Sequence, residues 1–295
     1  MAHKQYWRYL NSGWRLASEA KIKLDKKNRQ LLIYLTFIKE VEEYEPEGFL
    51  PVDINEDNVT ILVDGEAYLL ETDMKKLVLG YYYRRKRIQE KYDKIYGTES
   101  RIKRKAMRKL KEKKRKNDVK WKIANIIVRT AYERKYAIVL EKLGKKAANN
   151  MIKRIRDKQL RHRIFQASFR GIQRAIEEKA RENGVPVVYI DPKNTSKLCP
   201  IHGALIKYNS SRVGKCSIGG EKWHRDIVAV WNLLFRVWGD GSHAPSPTKQ
   251  NVDGRSFPFS ATTTHDPTRI PISVWARQKS LPQIQKATIL NKIKR

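Results

Sequence analysis

Three apolar segments of this chain each carry a carboxylate at one end, and they constrain the fold more than any other feature. The first is FLPVDINEDNVTILVDG around Asp53, the second is KYAIVLEKLG around Glu141, and the third is EKWHRDIVAVWNLL around Asp226. Lys and Arg outnumber Asp and Glu by 63 to 31, so acids at such positions stand out. Carboxylates brought together in a basic protein suggest a divalent metal site that cuts or rejoins phosphodiester bonds.

The charge of the chain predicts a polyanionic partner. A formal net charge of +32 and a pI of about 10.1 favour nucleic-acid binding that weakens steeply with salt, because binding releases counterions. A ribosomal or chromatin-like packing protein is one alternative. Seven Trp, fourteen Tyr and long apolar-periodic segments favour a folded, enzyme-sized core instead. At 295 residues the chain can bury one good core, or one core with a small satellite.

The sequence also predicts where the protein works. It contains no run of eighteen apolar residues, and its start, MAHKQYWRYLNSGW, lacks the apolar region of a signal peptide. Two cysteines do not make a disulfide framework. We therefore expect a cytoplasmic, nucleoid-associated protein with no membrane partner.

The first part of the chain has the pattern of β-structure. Within residues 1–45, apolar side chains alternate on both sides of a turn near Asp25–Asn28, which predicts a β-hairpin, interpreted as the remnant of an N-terminal domain. Residues 47–53 predict a strand that carries Asp53, followed by strands at 59–63 and 67–70. This order fits a ribonuclease-H-like sheet, and it also fits many small β-meanders.

Residues 74–134 are predicted to form a basic helical hairpin with a break at residues 96–98. Residues 75–129 hold 22 Lys or Arg and only 5 Asp or Glu. A hairpin that is merely solvated is the alternative, but charge this one-sided favours contact with backbone phosphates.

The second half predicts alternating strands and helices. Residues 136–140 read as a buried strand that leads into Glu141, residues 144–163 as a basic irregular segment, and residues 165–182 as a helix. A strand at 185–190 and a helix at 226–238 follow. The apolar face expected for that last helix comprises Ile227, Val230, Trp231, Leu234 and Val237. Residues 239–295, rich in Gly, Pro, Ser and Thr, predict a mobile tail.

Together these elements predict an α/β, ribonuclease-H-like mixed sheet over residues 46–238, in which the three carboxylates converge. Two Mg²⁺ or Mn²⁺ ions are the usual cofactors of phosphodiester hydrolysis at carboxylates. Each acid also has a simpler interpretation. Asp53 fits a strand-end turn, Glu141 fits a salt bridge, and Asp226 fits a helix N-terminus.

Between the last strand and the last helix, residues 191–224 form an insert with metal-ligand spacing. Cys199-x-x-His202 followed by Gly resembles one knuckle of a zinc ribbon, and Cys216 begins a second. Gly219 stands where the fourth ligand is expected, so zinc binding is predicted to be weak, with His224 as a distant substitute. Two free cysteines and a histidine in a loop are the alternative.

The insert and the helix after it resemble the C-terminal region of the OrfB/TnpB family of insertion-sequence proteins. The resemblance rests on Thr195 and Ser196 before the first knuckle, on the two knuckles, and on Arg225-Asp226 before a helix containing Asn232. Upstream, VDIN with VDG (52–55 and 63–65) and VLEKL (139–143) look like the other two catalytic blocks of the family. The blocks occur in the right order over residues 20–238.

The resemblance implies a RuvC-like nuclease related to type V CRISPR effectors, with Asp53, Glu141 and Asp226 as its metal-binding triad. It further implies an RNA-guided DNA endonuclease, with DNA and a guide RNA as partners. Cys199, His202 and Cys216 would be zinc-ribbon positions. The alternatives are a truncated or cleavage-deficient RNA-guided binding relic and a true strand-transfer transposase.

This chain departs from the family pattern at two places. Only 52 residues precede Asp53, where family members carry a longer region, so a truncated form or a separate N-terminal partner is expected. Gly219 stands where the family has Cys, which predicts weakened zinc binding.

Overall fold

A computed structural model describes residues 4–26, 28–144, 147–153, 155–209 and 211–239. The tail predicted over 239–295 lies outside the described residues, apart from Gly239. At the centre of the fold is a five-stranded mixed sheet with the strand order β5-β4-β3-β6-β7. Its strands are β3 (Gly48–Ile54), β4 (Asn58–Val63), β5 (Glu66–Glu71), β6 (Tyr136–Glu141) and β7 (Val187–Ile190). The predicted mixed sheet is confirmed.

Two kinds of pairing meet at β3. It pairs antiparallel with β4, which pairs antiparallel with β5, while β6 lies parallel to β3 and to β7. The turn between β4 and β5 falls at Asp64 and Gly65, as predicted, and both residues have positive φ (51° and 81°). Positive φ at both central residues suits the right-handed twist of a two-residue hairpin.

Helices cover both faces of this sheet. The helices α4 (Glu112–Arg134) and α7 (Phe169–Asn183) pack together in the main core, which also contains Leu50 and Leu140 of the central strands. The helix α8 (Arg225–Trp238) lies on the opposite face, where Val230 packs near Leu62. The layered arrangement leaves the central strands buried on both faces, which is why they read as continuous apolar runs.

The basic segment forms three helices where the sequence predicted a two-helix hairpin. They are α2 (Met74–Tyr96), α3 (Arg101–Lys109) and α4. The break after Tyr96 was predicted, and the Ser100 side chain caps α3 by accepting from the backbone of Ile102. A second break follows Leu110, where Lys111 takes a left-handed conformation (φ 54°). No Gly or Pro marks this break, so the sequence carried no signal for it.

The segment 144–163, predicted to be irregular, is partly helical. The helices α5 (Ala147–Ile152) and α6 (Lys158–Ala167) occupy it, and the Asp157 side chain caps α6 by accepting from the backbone of Gln159. The single helix predicted over 165–182 is also wrong. Ser168, with φ 59°, separates the end of α6 from the start of α7.

The insert 191–224 contains a second, three-stranded antiparallel sheet with the order β10-β9-β8. Its strands are β8 (Ile206–Tyr208), β9 (Val213–Cys216) and β10 (Lys222–His224). It has its own small core around Trp223, which includes Val228 of α8. The helix α8 therefore packs between two sheets, and its buried surface is wider than the predicted apolar face, whose residues all pack in these cores. Three of the residues assigned to that face are only half-buried: Ile227, Trp231 and Val237.

The predicted N-terminal hairpin is confirmed as β1 (Arg15–Asp25) paired with β2 (Gln30–Ile38), and a short helix α1 (Lys4–Leu10) precedes it. The ring of Tyr9 stacks on Phe37 and joins α1 to the hairpin. Large apolar side chains of the hairpin are exposed, with Ile22 at 65%. Among the described residues, no helix combines the length and the apolar character that crossing a membrane requires.

Candidate active site

The parallel pairing of β3 and β6 brings Asp53 and Glu141 together. Their register pairs Val52 with Leu140, so the next residue of each strand, Asp53 and Glu141, lies at the same level. Side chains alternate along a strand, and Val52 and Leu140 point into the core against α4 and α7. Asp53 and Glu141 therefore point to the opposite face, which α8 covers.

Asp226 reaches the same place from α8. This helix begins at Arg225, and its first turn contains Asp226, whose side chain is only 1% exposed. The helix packs mainly against β3 on the side to which Asp53 points. The three carboxylates predicted from sequence are thus close enough to influence one another electrostatically.

The pKa of Asp53 reflects how close the three carboxylates lie. The pKa of Asp53 is raised from 3.8 to about 8. Burial is the largest cause, and the nearby charges of Glu141 and then Asp226 contribute to the same shift. A hydrogen bond from Asn55 and the charge of Arg212 oppose the shift. Like charges held together out of water disfavour ionisation. A bound cation would relieve this repulsion.

The two oxygens of Asp226 differ in their surroundings. Oδ1 accepts a hydrogen bond from Nη2 of Arg212 at 2.6 Å. Oδ2 is buried and has no hydrogen-bond partner among the described residues. A buried carboxylate oxygen without a partner is costly, because it loses its hydration and gains nothing in exchange.

Glu141 is held in place by Thr195. The Thr195 hydroxyl donates to Oε1 of Glu141 at 2.6 Å, and Asn232 of α8 donates to the backbone carbonyl of Thr195 at 2.6 Å. Burial raises the pKa of Glu141, and the bond from Thr195 opposes this shift. The Gln173 side chain of α7 donates to the backbone carbonyl of Glu141 at 2.7 Å, which fixes the end of β6.

Arg212, just before β9, links the first and third carboxylates. Its Nη2 also donates to Oδ1 of Asn55 at 2.9 Å, and the Asn55 amide donates to Oδ2 of Asp53 at 2.8 Å. The chain of bonds therefore runs from Asp53 through Asn55 and Arg212 to Asp226. Half of the Arg212 side chain is exposed, so its guanidinium sits at the mouth of the site.

His224, at the end of β10, lies beside Asp226 and away from the cysteines. Its Nδ1 accepts a hydrogen bond from the backbone N–H of Asp226 at 3.4 Å and lies 3.9 Å from Oδ2 of the same residue. Burial lowers the pKa of His224, so the ring is neutral at pH 7. The suggestion that His224 substitutes for a missing zinc ligand is therefore wrong, because the ring belongs to the carboxylate site.

The three carboxylates fit a hard divalent cation. Mg²⁺ and Mn²⁺ prefer carboxylate oxygens, and the unpartnered Oδ2 of Asp226 offers one. Burial is the largest cause of the raised pKa values of Asp53 and Glu141, and a cation bound between the carboxylates would favour their ionised forms. Asp53, Glu141 and Asp226 are the residues that would hold the ion.

A second group of metal-ligating side chains lies in the insert. Cys199, His202, Cys216 and Glu221 each offer one ligand atom, and these atoms all lie within 4.8 Å of one another. Both cysteines are buried and free of any disulfide. Three of these residues were predicted from sequence, whereas Glu221 was not.

The basic helices carry a large unbalanced charge. The few acids of residues 75–129 pair locally, as in the ion pairs of Glu112 with Arg85 at 3.0 Å and with Lys116 at 3.1 Å. Exposed basic residues remain over the start of α4, including Lys113, Lys114 and Arg115. This surface is suited to phosphate contact, as the sequence predicted.

Sequence reasoning overlooked two polar residues of the carboxylate site. Asn55 had a signal, because it follows Asp53 by two residues and so falls on the same side of the strand. Arg212 had none, since a lone Arg in a loop-rich insert does not reveal what it will face. Thr195 was noted only as part of the family pattern.

Comparison with known proteins finds one family model and relatives that are similar in sequence. The sequence model of the family described as "Cas12f1-like, TNB domain" matches residues 169–233, which run from α7 to the middle of α8. The TnpB-like protein MJ0751 of Methanocaldococcus jannaschii is 29% identical over 220 residues, covering 71% of this chain and 76% of that protein. The TnpB-like protein ORF457 of Acidianus two-tailed virus is 37% identical over 71 residues, covering 24% of this chain and 15% of that protein.

Solved structures share the fold. A Cas12f1–sgRNA–target DNA complex matches with a TM-score of 0.56 and 16% identity, covering 79% of this chain and 48% of that chain. A CRISPR-Cas12f ternary complex matches with a TM-score of 0.50 and 20% identity, covering 78% and 47%. The chain therefore spans about half the length of the Cas12f chains it resembles.

The chain has the mixed α/β fold of the Cas12f structures. By sequence it is related to TnpB-like proteins.

Proposed function

We propose that this chain hydrolyses DNA phosphodiester bonds with divalent metal ions held by Asp53, Glu141 and Asp226, directed by a guide RNA. The observation that supports it most strongly is the convergence of three carboxylates, from two parallel strand ends and one helix start, on a single point. Metal ions at such a site supply an activated water and stabilise the leaving oxygen.

In this proposal, the residues around the triad position the three carboxylates or contact the phosphate. Thr195 holds one oxygen of Glu141 so that the other stays free, and Asn55 does the same for Asp53. The neutral His224 ring accepts from the backbone of Asp226 and fixes the first turn of α8. Arg212, half exposed at the mouth, is placed to meet a phosphate.

A guide RNA as partner rests on charge and on the similarity to TnpB-like proteins and Cas12f structures. Residues 75–129 hold 22 Lys or Arg and only 5 Asp or Glu, and the solved structure with the higher TM-score was determined with an sgRNA and target DNA. Protein contacts to the backbone combined with base pairing would give sequence selection without a base-reading surface.

The test begins with sequencing of the RNA that co-purifies with the chain from cells that also transcribe the DNA flanking its gene. We expect one dominant RNA. A labelled duplex complementary to that RNA should then be cut in Mg²⁺ and remain intact in EDTA. A heterogeneous RNA mixture together with no cleavage of any duplex in Mg²⁺ would contradict the proposal.

A second candidate is RNA-guided DNA binding without cleavage. The ion pair between Arg212 and Asp226 favours it, because a guanidinium then neutralises a carboxylate that a metal ion would otherwise use. Tight, guide-dependent binding of the duplex without nicking, at any Mg²⁺ concentration, would support this candidate over the first.

A further inference from the structure

The two cysteine turns of the insert share one backbone geometry. In the first, the N–H of Cys199 donates to the carbonyl of Ala204 at 2.7 Å; in the second, the N–H of Cys216 donates to the carbonyl of Glu221 at 2.9 Å. Both bonds span five residues. A glycine with positive φ follows the fourth position of each turn, Gly203 at 63° and Gly220 at 76°. The second turn is therefore built as a metal knuckle although its fourth position lacks a side chain.

The space that a side chain at residue 219 would fill is already occupied. A Cβ built on Gly219 would collide with Oε1 of Glu221 and with Cε1 of His202. The carboxylate of Glu221 thus reaches from two residues further along the chain into the place of the missing ligand. Gly219 itself does not have a positive φ, so its backbone would accept another residue.

The distances from Nδ1 of His202 to the other three groups fit tetrahedral coordination of one ion. His202 Nδ1 lies 3.7 Å from Sγ of Cys199, 3.6 Å from Sγ of Cys216 and 3.5 Å from Oε2 of Glu221. In a tetrahedral zinc site with ordinary bond lengths, a sulfur and a nitrogen ligand are separated by about 3.6 Å, and a nitrogen and an oxygen ligand by about 3.4 Å. Each observed distance lies close to these values.

The environment of Glu221 also indicates a ligand. Its Oε2 is buried and has no hydrogen-bond partner among the described residues, and both cysteine side chains beside it are almost fully buried. A carboxylate placed against two thiols in a small core is unfavourable by itself, and a cation among them removes the cost.

We propose that Cys199, His202, Cys216 and Glu221 bind one Zn²⁺ ion, with Glu221 as the fourth ligand in place of the side chain absent at Gly219. Two thiolates, one imidazole and one carboxylate are all ordinary zinc ligands. The site holds the turns that carry β8, β9 and β10, and the same small sheet carries Arg212 and His224 to the carboxylates. The proposal does not depend on whether the protein cuts DNA.

The test measures metal directly. The full chain is loaded with Zn²⁺ and dialysed, and its zinc content and affinity are measured by mass spectrometry and chelator competition, for the parent and for Glu221→Gln. We expect one zinc per parent chain. Removing a residue that only hydrogen-bonds to a metal ligand weakens metal binding by about 10–100-fold. Glu221 is proposed as a ligand itself, so Glu221→Gln should weaken zinc binding at least tenfold. Lys222→Ala, an exposed neighbour, should leave the affinity unchanged.

A compensating variant keeps the test decisive if the single variant folds poorly. In Gly219→Cys combined with Glu221→Ala, the shortened side chain frees the space that a Cβ at residue 219 needs, and with a small shift of the His202 ring a thiolate at the regular position should restore the affinity. With Co²⁺ in place of zinc, the parent should show a tetrahedral spectrum, and the double variant should show a stronger thiolate charge-transfer band. No zinc in the parent, or equal affinities and spectra for the parent and Glu221→Gln, would overturn the proposal.

Discussion

Nη2 of Arg212 lies 2.6 Å from Oδ1 of Asp226, and so a half-exposed guanidinium neutralises a carboxylate that is almost fully buried. The other oxygen of Asp226 has no such partner among the described residues. Asp226 therefore has a positive charge beside it within the protein, and a metal ion must bind next to that charge or displace it.

Removing this guanidinium should strengthen binding of the metal ion. Arg212→Ala takes a positive charge away from the three carboxylates, and half-exposed ion pairs are worth at most about 1 kcal/mol, so we expect Mg²⁺ to bind up to roughly fivefold more tightly. The measurement is the Mg²⁺ concentration that gives half of the metal-induced rise in melting temperature. Lys207→Ala, an exposed residue of the same small sheet, is the control and should not change it. Weaker Mg²⁺ binding in Arg212→Ala would show that the guanidinium orients Asp226 instead.

The raised pKa of Asp53 predicts a stability that depends on pH. The folded protein holds this proton up to about pH 8, whereas an unfolded Asp releases it near its ordinary pKa of 3.8. The folded state thus binds more protons between these values, and without metal the stability should fall as pH rises from about 4 to about 8. Thermal melts in EDTA across this range measure the change.

A neutral replacement of Asp53 should remove that dependence. Asp53→Asn should raise the melting temperature in EDTA at pH 8 by at least about 2–4 °C, the shift that one kcal/mol gives in a domain of about 150–250 residues. Added Mg²⁺ should raise the melting temperature of the parent more at pH 8 than at pH 6, and of Asp53→Asn little at either pH. A parent that is most stable in EDTA at pH 8 would contradict the assignment.

The hydrogen bond from Thr195 to Glu141 should control the ionisation of Glu141 as well as stabilise the fold. Thr195→Val keeps the shape but removes a bond to a charged group, worth about 1.5–3 kcal/mol. Because this bond lowers the pKa of Glu141, its loss should move the pH at which DNA cleavage reaches half of its maximum upward. Thr195→Ser should restore the parent pH profile. A profile that is the same in all three proteins would show that Thr195 serves the fold alone.

Contact between the basic helices and nucleic acid should appear in the salt dependence of binding. Replacing Lys113, Lys114 and Arg115 with Gln should reduce the slope of log affinity against log salt by about 0.9 for each duplex phosphate that the protein no longer neutralises. The same change at Lys21, Lys23 and Lys26 of the hairpin is the control. Equal slopes for both triple variants would indicate that the helices make no special contact.

The sequence predicted the central sheet well because its strands are buried on both faces. A short apolar run that ends in an acid, such as residues 136–141, predicts a strand that is covered on both faces of the sheet. Breaks inside polar helices were harder. Lys111 and Ser168 adopt left-handed conformations, which residues other than Gly rarely do. The residue types at these two positions therefore did not indicate a break.

The polar residues around the carboxylates could be predicted only in part. Asp53 and Glu141 follow from strand periodicity, and Asn55 would have followed from the same rule. Arg212 depends on how the small sheet of the insert folds over α8, a long-range arrangement that spacing along the chain does not encode.

The most direct test of the metal-dependent nuclease proposal compares one carboxylate inside the site with one outside it. Asp226→Asn and Asp118→Asn make the same chemical change, but Asp118 is 60% exposed and forms an ion pair with Lys122 on the surface of α4. Cleavage of a duplex complementary to the co-purified RNA is measured in Mg²⁺ for both variants and the parent. A decrease of at least about 100-fold in Asp226→Asn, with Asp118→Asn unchanged, is the predicted result. Cleavage by Asp226→Asn at the parent rate would contradict the assignment of the carboxylate site as the catalytic centre.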